Sequence, residues 1–215
     1  MVVTDVLEQA ELEAMLASIP RDHPTGARNY ALIQLMSQTG IRCGEALQVE
    51  ERDIVEETWG NNGDRVKVTV LRLRKATTKG KKVRQGIPLT KETLAALAEW
   101  KQHRDSLGIK GGPLFCTVTR GERMAHFAVD ATLVPGEPLS GRYVRGMVKR
   151  VAEKAGIQKR VHPHLLRHTA LTGLYDKTRD LRLVQVVAGH SSSKTTERYT
   201  HVHPVAVAEA MGILS

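Results

Sequence analysis

The chain has 215 residues, 41% of them hydrophobic and 26% charged, a balance that suits a folded core and excludes a disordered or collagen-like polymer. No apolar run approaches the length of a membrane span, and the N-terminal MVVTDVLEQAELEAML lacks the basic start and apolar stretch of a signal peptide, so a cytoplasmic place of work with no membrane partner is expected. The formal net charge of +9 is regional: of 23 acidic and 32 basic side chains, residues 1–60 hold 11 and 4, leaving 12 and 28 for the rest, a surface whose natural partner is a polyanion.

In chain order, Leu7, Leu12, Met15 and Leu16 recur at helical spacing and predict a surface helix over about 7–19, stopped by Pro20. A second helix is expected from about Ala27, carrying Tyr30, Ile33, Leu35 and Met36 and ending at Thr39-Gly40, where the glycine suits a left-handed cap. Between Asp53 and Leu89 the period becomes alternating. Val66, Val68 and Val70 share one strand face, 59–64 reads as a turn, and a second turn at 77–82 precedes a strand from Val83 to Leu89, so a small antiparallel sheet follows. Residues 65–84 contain nine basic side chains and no acid, which reads as a cationic hairpin for a polyanion more readily than as a solvated face.

Helical spacing resumes after Thr90, a fair N-cap, and runs to about Leu107; Leu114-Phe115-Cys116 suggests a short strand, and 118–138, with its glycines and prolines, a long loop. From Ser140 helices are expected over about 140–155, 163–176 and 180–189, with a short one from Pro204. Cys43 and Cys116 are expected to be free intracellular thiols packed as small hydrophobes. Tyr30, Tyr143 and Tyr175 lie in apolar helical patterns and read as core or interface, whereas Tyr199 lies in the polar run Ser191 to Thr200.

Six groups together meet the needs of phosphodiester transesterification without metal: Arg42, Lys79, His164, Arg167, His190 and Tyr199. A phosphoryl group under attack gathers negative charge on its non-bridging oxygens, and two guanidiniums can hold those oxygens through paired hydrogen bonds. A tyrosine hydroxyl, with a pKa near ~10, needs a base or a cationic surround to become a nucleophile, and the departing oxygen needs a proton. Singly, each residue has a bland structural reading: Arg42 a surface arginine at a helix start, Arg167 the partner of an acid on a neighbouring helix. Lys75, Lys81 and Lys82 lie close enough to Lys79 to take its role after a small shift of the hairpin. His164 and His168, four apart on an expected helix, could share a metal, but no glutamate stands between them and Arg167 puts a cation beside the site.

These residues carry a family resemblance over nearly the whole chain. Thr39-Gly40-Ile41-Arg42-Cys43-Gly44-Glu45-Ala46-Leu47 resembles the first arginine box of tyrosine recombinases (phage integrases), and His164-Leu165-Leu166-Arg167-His168-Thr169 resembles their H-x-x-R box. Thr78-Lys79-Gly80-Lys81-Lys82 followed by Ile87-Pro88-Leu89 is similar to the hairpin that carries their lysine, and Gly189-His190 ahead of Tyr199 to their closing segment.

The resemblance implies an α+β, mainly α, catalytic domain over 1–215 with a small three-stranded antiparallel sheet packed on helices; the separate N-terminal core-binding domain usual in the family is not expected in this chain, which is then either a fragment or a minimal integrase. It implies that Arg42 and Arg167 clamp the scissile phosphate, His164 assists proton transfer at Tyr199, Lys79 protonates the leaving 5′-oxygen, and His190 bonds the phosphate or buttresses Tyr199. Glu45 would orient Arg42 from behind. Lys81, Lys82, Arg84, Arg142, Arg145 and Lys149 are the expected DNA contacts, the last three from one face of the helix at 140–155, whose other face carries Val144, Met147, Val148 and Val151. No cofactor is implied, neither metal nor ATP. The implied partner is double-stranded DNA at a specific site, bound by a homotetramer of subunits that are monomeric when free, with the apolar tail 204–214 docking on a neighbouring protomer. The chain looks like a short temperate-phage integrase, which implies viral genome integration in a bacterial host. A type IB topoisomerase-like nicking and sealing enzyme and a catalytically silent DNA-binding module of the same fold are the alternatives.

Overall fold

The computed structural model describes residues 6–59, 65–74, 86–118, 136–189, 209, 211 and 212. Seven helices and three strands follow one another within them: α1 (Gln9–Ala17), α2 (Pro24–Thr39), α3 (Cys43–Ala46), β1 (Ile54–Trp59), β2 (Val66–Leu71), β3 (Ile87–Pro88), α4 (Lys91–Ser106), α5 (Gly141–Lys154), α6 (Pro163–Thr178) and α7 (Leu181–Ala188). The expected mainly helical fold with a three-stranded antiparallel sheet is the fold observed.

Capping decides where the helices begin. The helix expected over 7–19 starts later because the Glu11 carboxylate accepts the Glu8 backbone N–H at 2.8 Å, while Leu7 is buried ahead of it. The second helix starts three residues before the expected Ala27: His23 Nδ1 accepts the Gly26 N–H at 3.2 Å, and Pro24 needs no partner for a missing N–H. A His-Pro pair also opens α6, where His162 Nδ1 accepts the Leu165 N–H at 3.1 Å. Thr90, Ser140 and Asp180 cap α4, α5 and α7 through their side-chain oxygens.

Ala31, Leu32, Ile33, Leu35 and Met36 of α2 are all buried, positions that span more than one face, as a central helix must when neighbours cover it on several sides. Helices α4 and α6 pack against it. Trp100 of α4 lies in the same core and donates its indole N–H to the Leu114 carbonyl at 2.8 Å. Cys116 is buried and pairs with Pro138 in one antiparallel bridge, so the expected short strand is a bridge only. Two arginines that the sequence did not mark lie in this interior. Arg28 donates to the Cys116 carbonyl at 2.9 Å and to the Tyr143 hydroxyl, and Arg104 meets Glu51 at 2.5 Å and the Gly111 carbonyl at 2.7 Å.

The sheet runs β1-β2-β3 with Ile54 opposite Leu71 and Trp59 opposite Val66. Leu71 and Ile87 face the main core, while Val68 and Val70 join Trp59 in a separate small cluster, so the strand's alternation serves two apolar faces instead of one. Tyr30 and Tyr143 are partly buried as expected; Tyr175 is exposed on α6, where Arg179 lies 5.8 Å from its ring centroid. Met211 packs against the main core and the Leu174, Leu183 and Val187 cluster; Leu214 lies outside the described residues. Among the described residues no helix is long and apolar enough to cross a membrane.

Gly40 closes α2 at φ 63°, donating its N–H to the Met36 carbonyl at 3.0 Å, and an added Cβ would meet Leu171 of α6 at 3.2 Å. Gly40→Ala is expected to lower unfolding free energy by about 1–2 kcal/mol, since a side chain in the left-handed region is strained. Urea denaturation is the measurement, and an unchanged midpoint would contradict it.

Candidate active site

The glycine cap turns the chain out of α2 so that Arg42 stands immediately before α3 in extended backbone, with φ −70° and ψ 147°. Glu45, buried at 3% exposure, accepts the Arg42 backbone N–H on one carboxylate oxygen at 2.8 Å and meets Nη1 of the same residue on the other at 3.1 Å. One carboxylate therefore caps the helix and aims the guanidinium.

Arg167 reaches the same place from α6. Its Nη1 donates to the Gly40 carbonyl at 2.6 Å and its Nη2 to the Ala188 carbonyl at 2.8 Å. These are the terminal carbonyls of α2 and α7, groups a helix leaves unpaired, so a cation between two helix C-termini is well placed by the helix dipoles. The surface ion pair weighed as the bland reading of Arg167 does not describe these contacts: the residue is 5% exposed and holds backbone carbonyls.

One turn before Arg167, His164 is exposed at the start of α6, and its Nε2 lies 3.0 Å from His168 Nε2 with the rings edge to face. His162 lies nearly parallel to it with 6.3 Å between ring centroids. Loss of solvent first, then the positive potential of His168, His162, Arg167 and Arg42, holds the His164 pKa below the ordinary 6.5. At neutral pH this imidazole is uncharged and able to accept a proton.

Arg42, Arg167 and His164 line one groove of about 470 Å³, completed by Arg145 of α5, His162 and Cys43. No carboxylate is among its described lining residues. Burial raises the Cys43 thiol above its usual range, which leaves it protonated beside the cations. Both cysteines are free, Cys116 fully buried and Cys43 partly so.

Helix α5 buries Val144, Met147 and Val148 and leaves Val151 partly exposed; Arg142, Arg145 and Lys149 are exposed on its other side. Of these three, Arg145 enters the groove, while Lys149 pairs with Glu153 at 3.5 Å and lines a separate depression with Lys159 and Arg160. Lys79, Lys81, Lys82, Arg84, His190 and Tyr199 lie outside the described residues. The described part of the basic run is not without countercharge: Lys67 pairs with Glu56, Arg72 with Glu57, and Arg74 with Glu50 and Asp53, all at 2.7–2.8 Å. Strand pairing supplies acids that the linear run lacks.

Two contributions were missed in the sequence: His162 as the side-chain cap that starts α6, and His168 as the partner of His164. The signal for the first was His before Pro; for the second, the spacing of four, weighed only for a metal. Among the described residues no group of three or more histidines, cysteines or carboxylates could hold a metal ion.

The sequence model of the phage integrase family matches residues 5–205. The chain is 33% identical over 193 residues to the tyrosine recombinase XerC of Xanthomonas campestris pv. campestris (strain B100), covering 90% of this chain and 50% of that protein. It is 31% identical over 193 residues to XerC of Haemophilus ducreyi, covering 90% and 54%. The chain thus spans about half the length of the curated relatives it matches. Among solved structures, the XerH site-specific recombinase in its post-cleavage complex with palindromic difH substrate superposes with a TM-score of 0.65 at 30% identity, over 97% of this chain and 52% of that one. XerA recombinase, with a TM-score of 0.66 at 24% identity over 97% and 62%, shares the fold.

The two arginines carry different structural duties. Arg167→Lys leaves at least one helix-end carbonyl without its donor and is expected to cost about 1–3 kcal/mol of stability. Arg42→Lys, at a position whose side chain is 35% exposed, is expected to cost less than about 1 kcal/mol. Paired urea unfolding curves check the ordering, and equal losses would refute it.

Proposed function

Because the chain belongs to the phage integrase family of tyrosine recombinases, we propose that residues 1–215 act as its catalytic domain, cutting and rejoining DNA strands at a specific site. The observation that carries this is the groove itself: two guanidiniums from different elements and an uncharged imidazole face one space with no carboxylate among its described lining residues. Such a space suits a phosphodiester anion and its more negative transition state.

In the proposed reaction Arg42 and Arg167 hold the non-bridging oxygens, and His164 takes the proton from Tyr199 as its phenolic oxygen bonds to phosphorus. The bond to the 5′-oxygen breaks, and Lys79 gives that oxygen a proton. The product is a 3′-phosphotyrosine with a free 5′-hydroxyl, and attack by a partner strand's 5′-hydroxyl reverses the steps and returns the tyrosine. His190 supports the phosphate or Tyr199, and Glu45 keeps Arg42 aimed. The phosphoester energy is kept in the covalent link, so neither ATP nor metal enters the balance.

Arg142, Arg145 and Lys149 with Lys81, Lys82 and Arg84 form the proposed DNA contacts, Arg145 nearest the reacting phosphate. The working assembly is a homotetramer on duplex DNA, formed from monomers in the bacterial cytoplasm. The relatives at 31–33% identity are XerC recombinases of bacteria, which speaks for recombination over topoisomerase-like relaxation; they lend no support to the narrower reading of viral genome integration.

A nicked suicide duplex carrying candidate target DNA tests the reading: the wild-type chain is expected to form a covalent adduct and Tyr199→Phe none, whereas an adduct with both would sink it. The pH profile of that adduct carries a second expectation. His164 must be neutral to act and its pKa lies below 6.5, so the midpoint of the acid-side fall in rate is expected below pH 6.5. Folding stability moves the same way. The unfolded chain binds this proton near 6.5 before the folded one does, so the contribution is lost as pH falls through the folded value. A midpoint at or above pH 6.5 would contradict the assignment.

A further inference from the structure

Nothing in the proposed reaction uses His168, yet its Nε2 lies 3.0 Å from that of His164. Two ring nitrogens at that separation admit one hydrogen between them. With none, two lone pairs face each other; with two, both N–H groups point at the same space. The contact therefore exists only while the pair is neutral or carries a single positive charge, and it dictates which nitrogen of each ring bears hydrogen.

We propose that His168 is a positioning residue for strand cleavage: it accepts the Nε2–H of His164, keeps the His164 Nδ1 lone pair available for the tyrosine proton, and then shares that proton. This rests on the reading of His164 as the group that deprotonates Tyr199. The balance is simple. The phenolic proton goes to His164 Nδ1, the hydrogen already on His164 Nε2 moves toward His168 Nε2, and the positive charge is spread over two imidazoles while the phenolic oxygen bonds to phosphorus. On resealing, each proton retraces its path.

The surroundings favour this direction. Arg42, from the turn before α3, and Arg167, from α6, both act on His164, and Arg145 of α5 lines the same groove, so an unprotonated nitrogen is the better neighbour for these cations. The one described carboxylate near them, Glu45, is bound to Arg42. His162 cannot substitute for His168. Its Nδ1 already accepts the Leu165 N–H at 3.1 Å, and its ring lies parallel to His164 rather than edge-on. The arrangement has the logic of a base held by a third group, with a histidine where a carboxylate often stands. In a groove meant for a phosphate, a neutral acceptor orients the base without repelling the substrate.

The test is long-range proton–nitrogen NMR of the histidine rings in the full chain, which distinguishes the two tautomers and needs no DNA. In the wild type, His164 is expected as the Nε2–H form, and the pair takes up its two protons in steps separated by more than about one pH unit. In H168A, His164 should become a mixture of tautomers that titrates in one step, shifted upward from the second step of the pair. In H168Q the side-chain oxygen still accepts the hydrogen bond but takes no proton, so the Nε2–H form should return while the titration remains a single step. The same His164 tautomer and the same single-step titration in wild type and H168A would overturn the proposal. That failure would leave the Tyr199→Phe adduct comparison untouched, so the pair and the cleavage reading can fall separately.

Discussion

The guanidinium of Arg167, held between the last carbonyls of α2 and α7, is the interaction on which the rest of the site depends. It spans 127 residues to Gly40 and 21 to Ala188, at 2.6 and 2.8 Å. Removing it would leave two helix ends without a buried donor and would release the two segments that flank the groove. One of these leads into Arg42 and Glu45; the other ends at Gly189, the residue before His190 in the sequence. A side chain proposed to hold the scissile phosphate thus also fixes the distance between the parts of the site.

This economy has a physical basis. Helix C-termini are partly negative, and two of them brought together repel unless a cation intervenes. The same cation, placed at the edge of a groove, is still a donor toward an anion because a guanidinium carries five N–H groups on a rigid plane. Lysine offers its donors from one nitrogen and lacks the rigid fork that reaches each carbonyl from a separate nitrogen. Glu45 plays the matching part for Arg42, capping α3 with one oxygen and steering the guanidinium with the other.

Charge at the groove is sorted by depth. Carboxylates lie behind or across strands, where they are bound to arginines, and the lining keeps cations and uncharged rings. The result is a surface attractive to a polyanion in which the histidine is kept neutral first by its loss of solvent and then by the positive potential of His168, His162, Arg167 and Arg42. Attraction of substrate and preparation of the base are one electrostatic arrangement.

Much of the fold was legible because it rests on local rules. Helical spacing, the Thr90 cap and Gly40 after Thr39 mark α2 and α4 closely, and alternation at Val66, Val68 and Val70 marks β2. The start of α2 was misplaced because histidine is an uncommon cap, though His23-Pro24 carries the sign. The boxes around Arg42 and Arg167 could be picked out by their resemblance to those of tyrosine recombinases, in the order that family has them. The sequence by itself therefore determined which cationic, imidazole and phenolic groups are available for the proposed chemistry. Only the tertiary structure decided what those groups hold: that Arg167 binds the carbonyls of Gly40 and Ala188, that the basic run finds its countercharge across β1, and that His168 meets His164 edge-on. Such contacts join residues distant in the chain or depend on how a side chain turns, and no local pattern encodes either.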